Sequence, residues 1–294
     1  MVADGDVPAR IANDGPTEAA DSGRSTQGAA DGWPVMVWIG GAPGAGKSTI
    51  ARDLARRLDL PLHPVDLWTY AHLEHLPPLE PLTEQLARGP EHAADVFADI
   101  ARLRVEFVVA DVRARDLGDV PAVVEGPQLF PSMADAVPVA VWLVPDTEQT
   151  RRAREQRLSR VDDPAGRATL NGLLARDVVL AERIRREAAE RGRSVIEVPA
   201  EPDWSAVTRS VEAALGALPR LRAGDELRHQ RRYENLAACR QGRLWQADIG
   251  LAELPPYPFA CECGTSGCVL SWEGTPDEYD TRRNKEWLTA HPAC

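Results

Sequence analysis

Lysine is almost missing from this chain. Of its 34 basic residues only Lys47 and Lys285 are lysine, and every other cation is arginine. The chain also lacks a positive balance, carrying a formal charge of −11. That excludes broad attraction to nucleic-acid backbones or anionic membranes, which repel an acidic protein. No run approaches the ~18 apolar residues of a membrane-spanning helix. The first 31 residues lack the apolar stretch of a secretory signal. Asp4, Asp6, Asp14, Glu18, Asp21 and Asp31 face only Arg10 and Arg24 there, so residues 1–33 read as a disordered tail. A cytoplasmic location is expected. No internal repeat is present.

Cysteine is scarce and unevenly placed. Five is an odd number, and Cys261, Cys263 and Cys268 fall within eight residues. Without an export signal, that pattern favours metal binding over disulfides. Zinc takes four N or S ligands in a tetrahedron. His291 is the natural fourth, with Cys294 and Cys239 in reserve. Gly264 and Gly267 permit a tight knuckle between ligands, and Trp272 and Trp287 are expected to pack around it.

The chain is rich in apolar residues, at 44% of 294, enough for a large core. Val35 to Ile39 is a short apolar run of the kind buried on both faces of a parallel sheet. Gly41-Ala42-Pro43-Gly44-Ala45-Gly46-Lys47-Ser48 follows, the full G-x-x-x-x-G-K-[ST] pattern of a phosphate-binding loop. Ile50, Leu54 and Leu58 then recur every four residues, marking an amphipathic helix. Strand, glycine loop and helix thus stand in the order the pattern requires. Loop amides and the helix N-terminus would hold phosphates. Lys47 would bridge the β- and γ-phosphates, where a compact ammonium fits better than a guanidinium. Ser48 would hold Mg²⁺, and Thr49 would reach the α-phosphate. ATP and Mg²⁺ are therefore the expected ligands.

Further strands are expected at 62–65, 121–124, 139–144 and 194–198. Helices are expected at 91–117, 147–158, 170–191 and 205–218. This alternation predicts a three-layer α/β fold with a mainly parallel sheet. Residues 34–218 form the expected core unit. Residues 219–294 follow as one helix (226–246) and a Pro/Gly/Cys-rich tail with no βαβ rhythm. Open α/β sheets bind ligands beyond the carboxyl ends of their strands. Asp66 and Glu125 fall at such ends and suit water-mediated Mg²⁺ binding or proton transfer from an acceptor.

The order of parts over residues 35–218 resembles the P-loop kinases of the nucleoside-monophosphate-kinase and shikimate-kinase group. The stretch from Gly40 to Thr49 is its most specific carrier. The resemblance implies a strand order of 2-3-1-4-5. It implies an acceptor contact at Asp66, and an acidic turn at Glu125-Gly126. It also implies an arginine-bearing lid that stabilises the transferring phosphoryl group. Residues 151–193 hold twelve arginines against seven acids. Arg154 and Arg157 come just after the fourth strand, where a lid begins, and residues 162–166 would be its tip.

A GTPase of this class would carry an N-K-x-D motif, and a mechanical ATPase an apolar strand ending in Asp-Glu; neither occurs. The segment from Phe259 to Pro292, with Glu278-Tyr279, is similar to a small cysteine-rich tail of actinobacterial proteins. His72 and His75 share a helical face near the expected acceptor site. The reading is a kinase that phosphorylates a hydroxyl or phosphate of a small molecule. Its rival is a nucleotide-dependent switch whose zinc-binding tail engages a protein or nucleic acid.

Overall fold

The computed structural model describes residues 32–157, 164–283 and 293–294. Residues 1–31 of the expected tail, Asp162 and Asp163 of the expected lid tip, Trp287 and His291 lie outside the described residues, whereas the rest of the lid tip, 164–166, opens a long helix (Pro164–Glu190).

The chain begins with β1 (Met36–Gly41), α1 (Lys47–Arg57) and β2 (Leu62–Pro64). A 3-10 turn (Val65–Trp68) leads to α2 (Thr69–Leu73), α3 (Leu82–Ala87) and the long α4 (Pro90–Arg113). Next come β3 (Ala122–Glu125), β4 (Val139–Pro145), α5 (Thr147–Arg157), α6 (Pro164–Glu190), β5 (Val195–Val198) and α7 (Trp204–Leu215). The C-terminal part holds α8 (Asp225–Ile249), β6 (Tyr257–Ala260), β7 (Ser271–Gly274) and α9 (Pro276–Arg283).

Five strands form one parallel sheet in the order β2-β3-β1-β4-β5. This is the order the resemblance implies. Every residue of β1 is buried, as a continuous apolar run in a parallel sheet demands. Side chains alternate between two cores. Trp38, Val124 and Trp142 pack with α4 and α6 on one face. Val37, Ile39 and Val141 pack with α1 and α7 on the other. Trp142 lies fully inside and satisfies its indole N–H by donating to the Leu129 carbonyl at 2.7 Å. Gly41 is required at the end of β1. Its φ is +131°, and a Cβ there would lie 2.0 Å from the Leu143 carbonyl oxygen.

Two departures from the expected elements matter. The second strand ends at Pro64, one residue early, because the backbone turns at once into the 3-10 helix that carries Asp66. The tail also contains an antiparallel hairpin, β6–β7, where none is expected. Its strands are four residues each and one contains Pro258, so their alternation is faint. Phe259 and Trp272 are cross-strand partners whose rings sit 4.9 Å apart, stacked with Tyr279 of α9.

The C-terminal elements pack on the sheet unit through polar anchors. Arg231 of α8 donates to the Leu60 and Ala55 carbonyls at 3.1 and 2.9 Å and pairs with Glu234 at 2.9 Å. Asn235 exchanges two hydrogen bonds with Ala260 of the hairpin, at 2.9 and 2.8 Å. Glu262 is buried and accepts from Arg232, Asn235 and the Tyr279 hydroxyl. Asp59, just past α1, receives the Ser266 hydroxyl and the Gly267 amide.

Removing one partner of a buried pair leaves the other charge uncompensated. Arg231→Leu is expected to cost about 3–5 kcal/mol, read as a lowered urea midpoint.

Candidate functional site

The loop from Ala42 to Gly46 passes from the buried end of β1 into the first turn of α1. Gly46 caps that helix in the left-handed conformation at φ 76°. A Cβ there would come 2.5 Å from the ring of Trp204, which covers the loop and is 40% exposed. Gln149 of α5 steadies the loop from the other side, donating to the Gly44 carbonyl at 3.2 Å. The first turn of α1, Lys47, Ser48 and Thr49, lines the site, and a helix N-terminus so placed suits an anion. Lys47 is 4% exposed, and its ammonium donates to the Ala42 carbonyl at 2.8 Å.

Ser48, Glu125 and Asp66 converge next to this loop. The Ser48 hydroxyl donates to Glu125 Oε2 at 3.1 Å. Glu125 is in register with Ile39 on one side and Pro64 on the other, which sets its carboxyl at the carboxyl ends of three strands. Gln128, two residues past Gly126, donates to Asp66 Oδ1 at 2.9 Å. Burial, and then the charge of Asp66, push the Glu125 carboxyl up to about 7 against the opposing pull of Lys47, Arg52 and Ser48. Behind Asp66, Arg104 is fully buried and donates to the Val65 carbonyl at 2.8 Å and the Thr69 hydroxyl at 3.1 Å. It clamps the 3-10 turn that aims Asp66. His72 belongs to the same packing, bonded to Asp111 at 2.9 Å.

Lys47, Ser48, Asp66 and Glu125 line a cavity of about 290 Å³. Its floor is the loop with Lys47, Ser48 and Thr49, and its flank holds Arg52, Asp66 and Glu125. The opposite wall comes from the C-terminal hairpin, through Pro256, Tyr257, Pro258 and Glu273. Sequence reasoning gave no hint of that wall. It also missed Gln128, Arg104 and Trp204. Of these only Trp204 leaves a signal, standing just after the Asp203 helix cap that follows β5.

Arg154 is placed differently from the expectation. It is 3% exposed and does not line the cavity. Its guanidinium grips Asp177 of α6 at 2.8 and 3.2 Å, and Arg176 shares that carboxylate at 3.1 Å. A guanidinium at a helix crossing must be paired when water is excluded, and Asp177 is the group that pairs it. Arg157, three residues on, is the last residue of α5.

The thiols assemble as a four-ligand cluster. Sulfurs of Cys261, Cys263, Cys268 and Cys294 lie within 4.8 Å of one another. Cys294 approaches Cys261 at 3.5 Å and Cys268 at 3.4 Å. Cys294, the reserve ligand, completes four sulfurs among the described residues, while the expected fourth ligand His291 lies outside them. The Thr265 amide donates to the Cys263 sulfur at 3.3 Å, which favours a thiolate. Gly264 turns at φ 75°, as the knuckle requires. Cys239 stands apart in the core, its thiol pushed up to about 12 by burial. All-sulfur coordination of this kind suits zinc in a closed structural site.

No family model matches the chain, and no curated protein does. Three kinases of known structure are similar to it. A gluconokinase from Sinorhizobium meliloti 1021 is 17% identical, with a TM-score of 0.37 over 63% of this chain and 93% of that one. A shikimate kinase from Bacteroides thetaiotaomicron is 16% identical at a TM-score of 0.34, over 62% and 98%. A sugar kinase from Janibacter sp. HTCC2649 is 21% identical at 0.36, over 60% and 93%.

Glu125 ties stability to pH. Its carboxyl ionises near the ordinary 4.5 when unfolded and near 7 when folded. Between those values the folded protein holds a proton that the unfolded chain has lost. This contribution to stability is complete below 4.5 and is lost as pH rises through 7. Glu125→Gln carries no such charge. Without Mg²⁺, its stability relative to the parent should improve by about 2–3 kcal/mol between pH 4.5 and about 8, as read by urea unfolding. An unchanged difference across that range would refute the assignment.

Proposed function

We propose that this chain is an ATP- and Mg²⁺-dependent phosphotransferase, a kinase acting on a hydroxyl or phosphate group of a small molecule. The observation that carries the reading is the Ser48–Glu125 hydrogen bond with Asp66 beside it, all opening on one cavity with the phosphate loop. A loop that only binds nucleotide needs no second carboxylate at hand. Transfer needs one group for the metal and another for the acceptor.

Loop amides from Gly41, Ala42, Pro43, Gly44, Ala45 and Gly46 onward, with the N-terminus of α1, would cradle the phosphates; Pro43 contributes shape, having no N–H. Lys47 would leave the Ala42 carbonyl and extend toward the β- and γ-phosphates. Thr49 would reach the α-phosphate. Ser48 and Glu125 form an oxygen donor set fit for Mg²⁺. Bound there, the metal supplies charge neutralisation on the phosphate oxygens. An occupant of that kind would also relieve the charge that holds Glu125 near 7. Asp66, oriented by Gln128 and by the Arg104-clamped turn, would position the acceptor hydroxyl and take its proton. Arg154 supports the α5–α6 crossing; delivery of positive charge from the lid would fall to other arginines, Arg157 among them.

The rival reading, a nucleotide switch with a partner-binding tail, gains nothing from the hairpin's position against the cavity. A tail that recruits a protein or nucleic acid would present that edge outward. The four thiols would hold a structural zinc, and among the described residues no helix is long and apolar enough to cross a membrane.

Purified protein should consume ATP faster when a metabolite pool is added, with a phosphorylated product by mass spectrometry. Asp66→Asn should lower that turnover about 10²–10⁴-fold while leaving ATP affinity within a few-fold. Hydrolysis that responds only to a macromolecule would overturn the kinase reading. Metal analysis should find about one zinc per chain, as a closed four-thiolate site implies. Cys294→Ser should reduce zinc retention during dialysis against a chelator, and a zinc-free, fully folded protein would refute the site.

A further inference from the structure

The hairpin wall has features that its packing role does not require. Residues alternate along each strand. Phe259 and Trp272 point into the small C-terminal core. Their neighbours Pro258 and Glu273 are cross-strand partners on the other face, and both line the cavity. The Glu273 carboxylate and the Tyr257 hydroxyl take no hydrogen bond or ion pair among the described residues. Arg52 lies between them and the loop, its Nε donating to the Ser48 carbonyl at 3.0 Å and its guanidinium 6.0 Å from the Tyr257 ring centre.

The wall is also fixed rather than loose. Arg56 of α1 donates to the Pro258 carbonyl at 3.4 Å. Cys261 follows directly on β6, and Cys268 precedes β7 by three residues. The thiol cluster therefore ties one end of the hairpin, and the other end meets the cavity.

We propose that the β6–β7 hairpin is the specificity wall of the acceptor site. It selects a sugar-sized hydroxyl compound without negative charge, with Tyr257 and Glu273 as its contacts. The inference rests on the phosphotransfer reading. A cavity of about 290 Å³, at the lower edge of ordinary ligand pockets, is of a size to suit a small acceptor. Charge sets the class. In the loaded site Lys47 faces phosphates, and Ser48 and Glu125 face the metal. What remains for the acceptor is Asp66 and Glu273 against Arg52. Of the described residues that line the cavity, Arg52 is then the cation left to an anionic acceptor, against two carboxylates and the triphosphate. A neutral polyol or an amino-bearing one meets hydrogen-bond acceptors and a phenol, and Pro64, Leu67, Pro256 and Pro258 supply an apolar surface for its carbon skeleton.

The test uses the full-length, zinc-containing protein with Mg²⁺ and γ-labelled ATP. Three separate pools are offered: neutral polyols and sugars, amino sugars and amino alcohols, and hydroxy acids with sugar phosphates. Labelled product is expected from the first or second pool. For that acceptor, Glu273→Gln and Tyr257→Phe should each raise KM about tenfold, the loss of one hydrogen bond to a charged or polar partner. The KM for ATP should stay within about twofold under the same logic. Both positions touch solvent, so circular dichroism of the variants should match the parent. Product from the anionic pool alone, or hairpin variants with unchanged acceptor KM, overturns the wall and leaves the kinase reading standing. No labelled product from any pool, with ATP binding intact, overturns both.

Discussion

Glu125 is 2% exposed, at the carboxyl end of the strand between β1 and β2. A carboxylate so placed is costly unless something answers its charge. In the protein as described, the Ser48 hydroxyl answers part of it at 3.1 Å, and Asp66 nearby makes the cost greater. The backbone cannot move the carboxyl away, because parallel pairing on both sides fixes its register. The site is thereby held with an excess of negative potential beside a loop built for anions. On the proposed reading a divalent cation would resolve that conflict and make room for phosphates. Ser48, through its hydrogen bond, and Asp66, through its charge, are both tied to this one buried group.

Arginine does much of the rest, in a way that its abundance conceals. Arg104, Arg154, Arg176 and Arg231 are all buried. Arg104 closes the turn that bears Asp66, Arg154 and Arg176 share Asp177, and Arg231 bridges α8 to carbonyls near α1 and β2. The planar fork suits such work, since several donors leave in fixed directions and can satisfy carbonyls and a carboxylate together. Lysine has one mobile ammonium and no such geometry. Its retention at position 47 fits a task that needs reach and reorientation.

The glycine loop, the helix behind it and the strands themselves were legible because each rests on local chemistry: left-handed glycines, apolar runs and a four-residue period. The order of the five strands was implied by the resemblance to P-loop kinases, not by any local pattern. The acidic strand ends were legible by position alone. Asp66 needed the 3-10 turn and Arg104, and no pattern around residue 66 announces a partner 38 residues away. Arg154 was misleading because a sequence shows that a guanidinium exists and hides what it faces; Asp177, on the next helix, decides that. The thiol cluster was readable as three ligands. The fourth could be His291 or Cys294 by spacing, and the chain's path brings the terminal sulfur to 3.4 Å from Cys268. Long-range pairing, rather than residue type, separates what was readable from what was not.

The hairpin shows this most clearly, and it changes how the two halves of the chain relate. Read linearly, residues 219–294 look like an appendage with its own metal. In space, α8 lies along α2 and the Asp66 turn, and the hairpin closes the open side of the phosphate cavity. A hairpin of two four-residue strands is too short to hold its shape unaided. The thiol cluster at one end, Glu262 beneath it and Asn235 beside it supply the rigidity. Rigidity is what a selecting wall needs, because a contact that yields by an ångström loses its discrimination. On the proposed reading, a metal held by the four thiols would fix that surface at one end, and transfer would take place at the other.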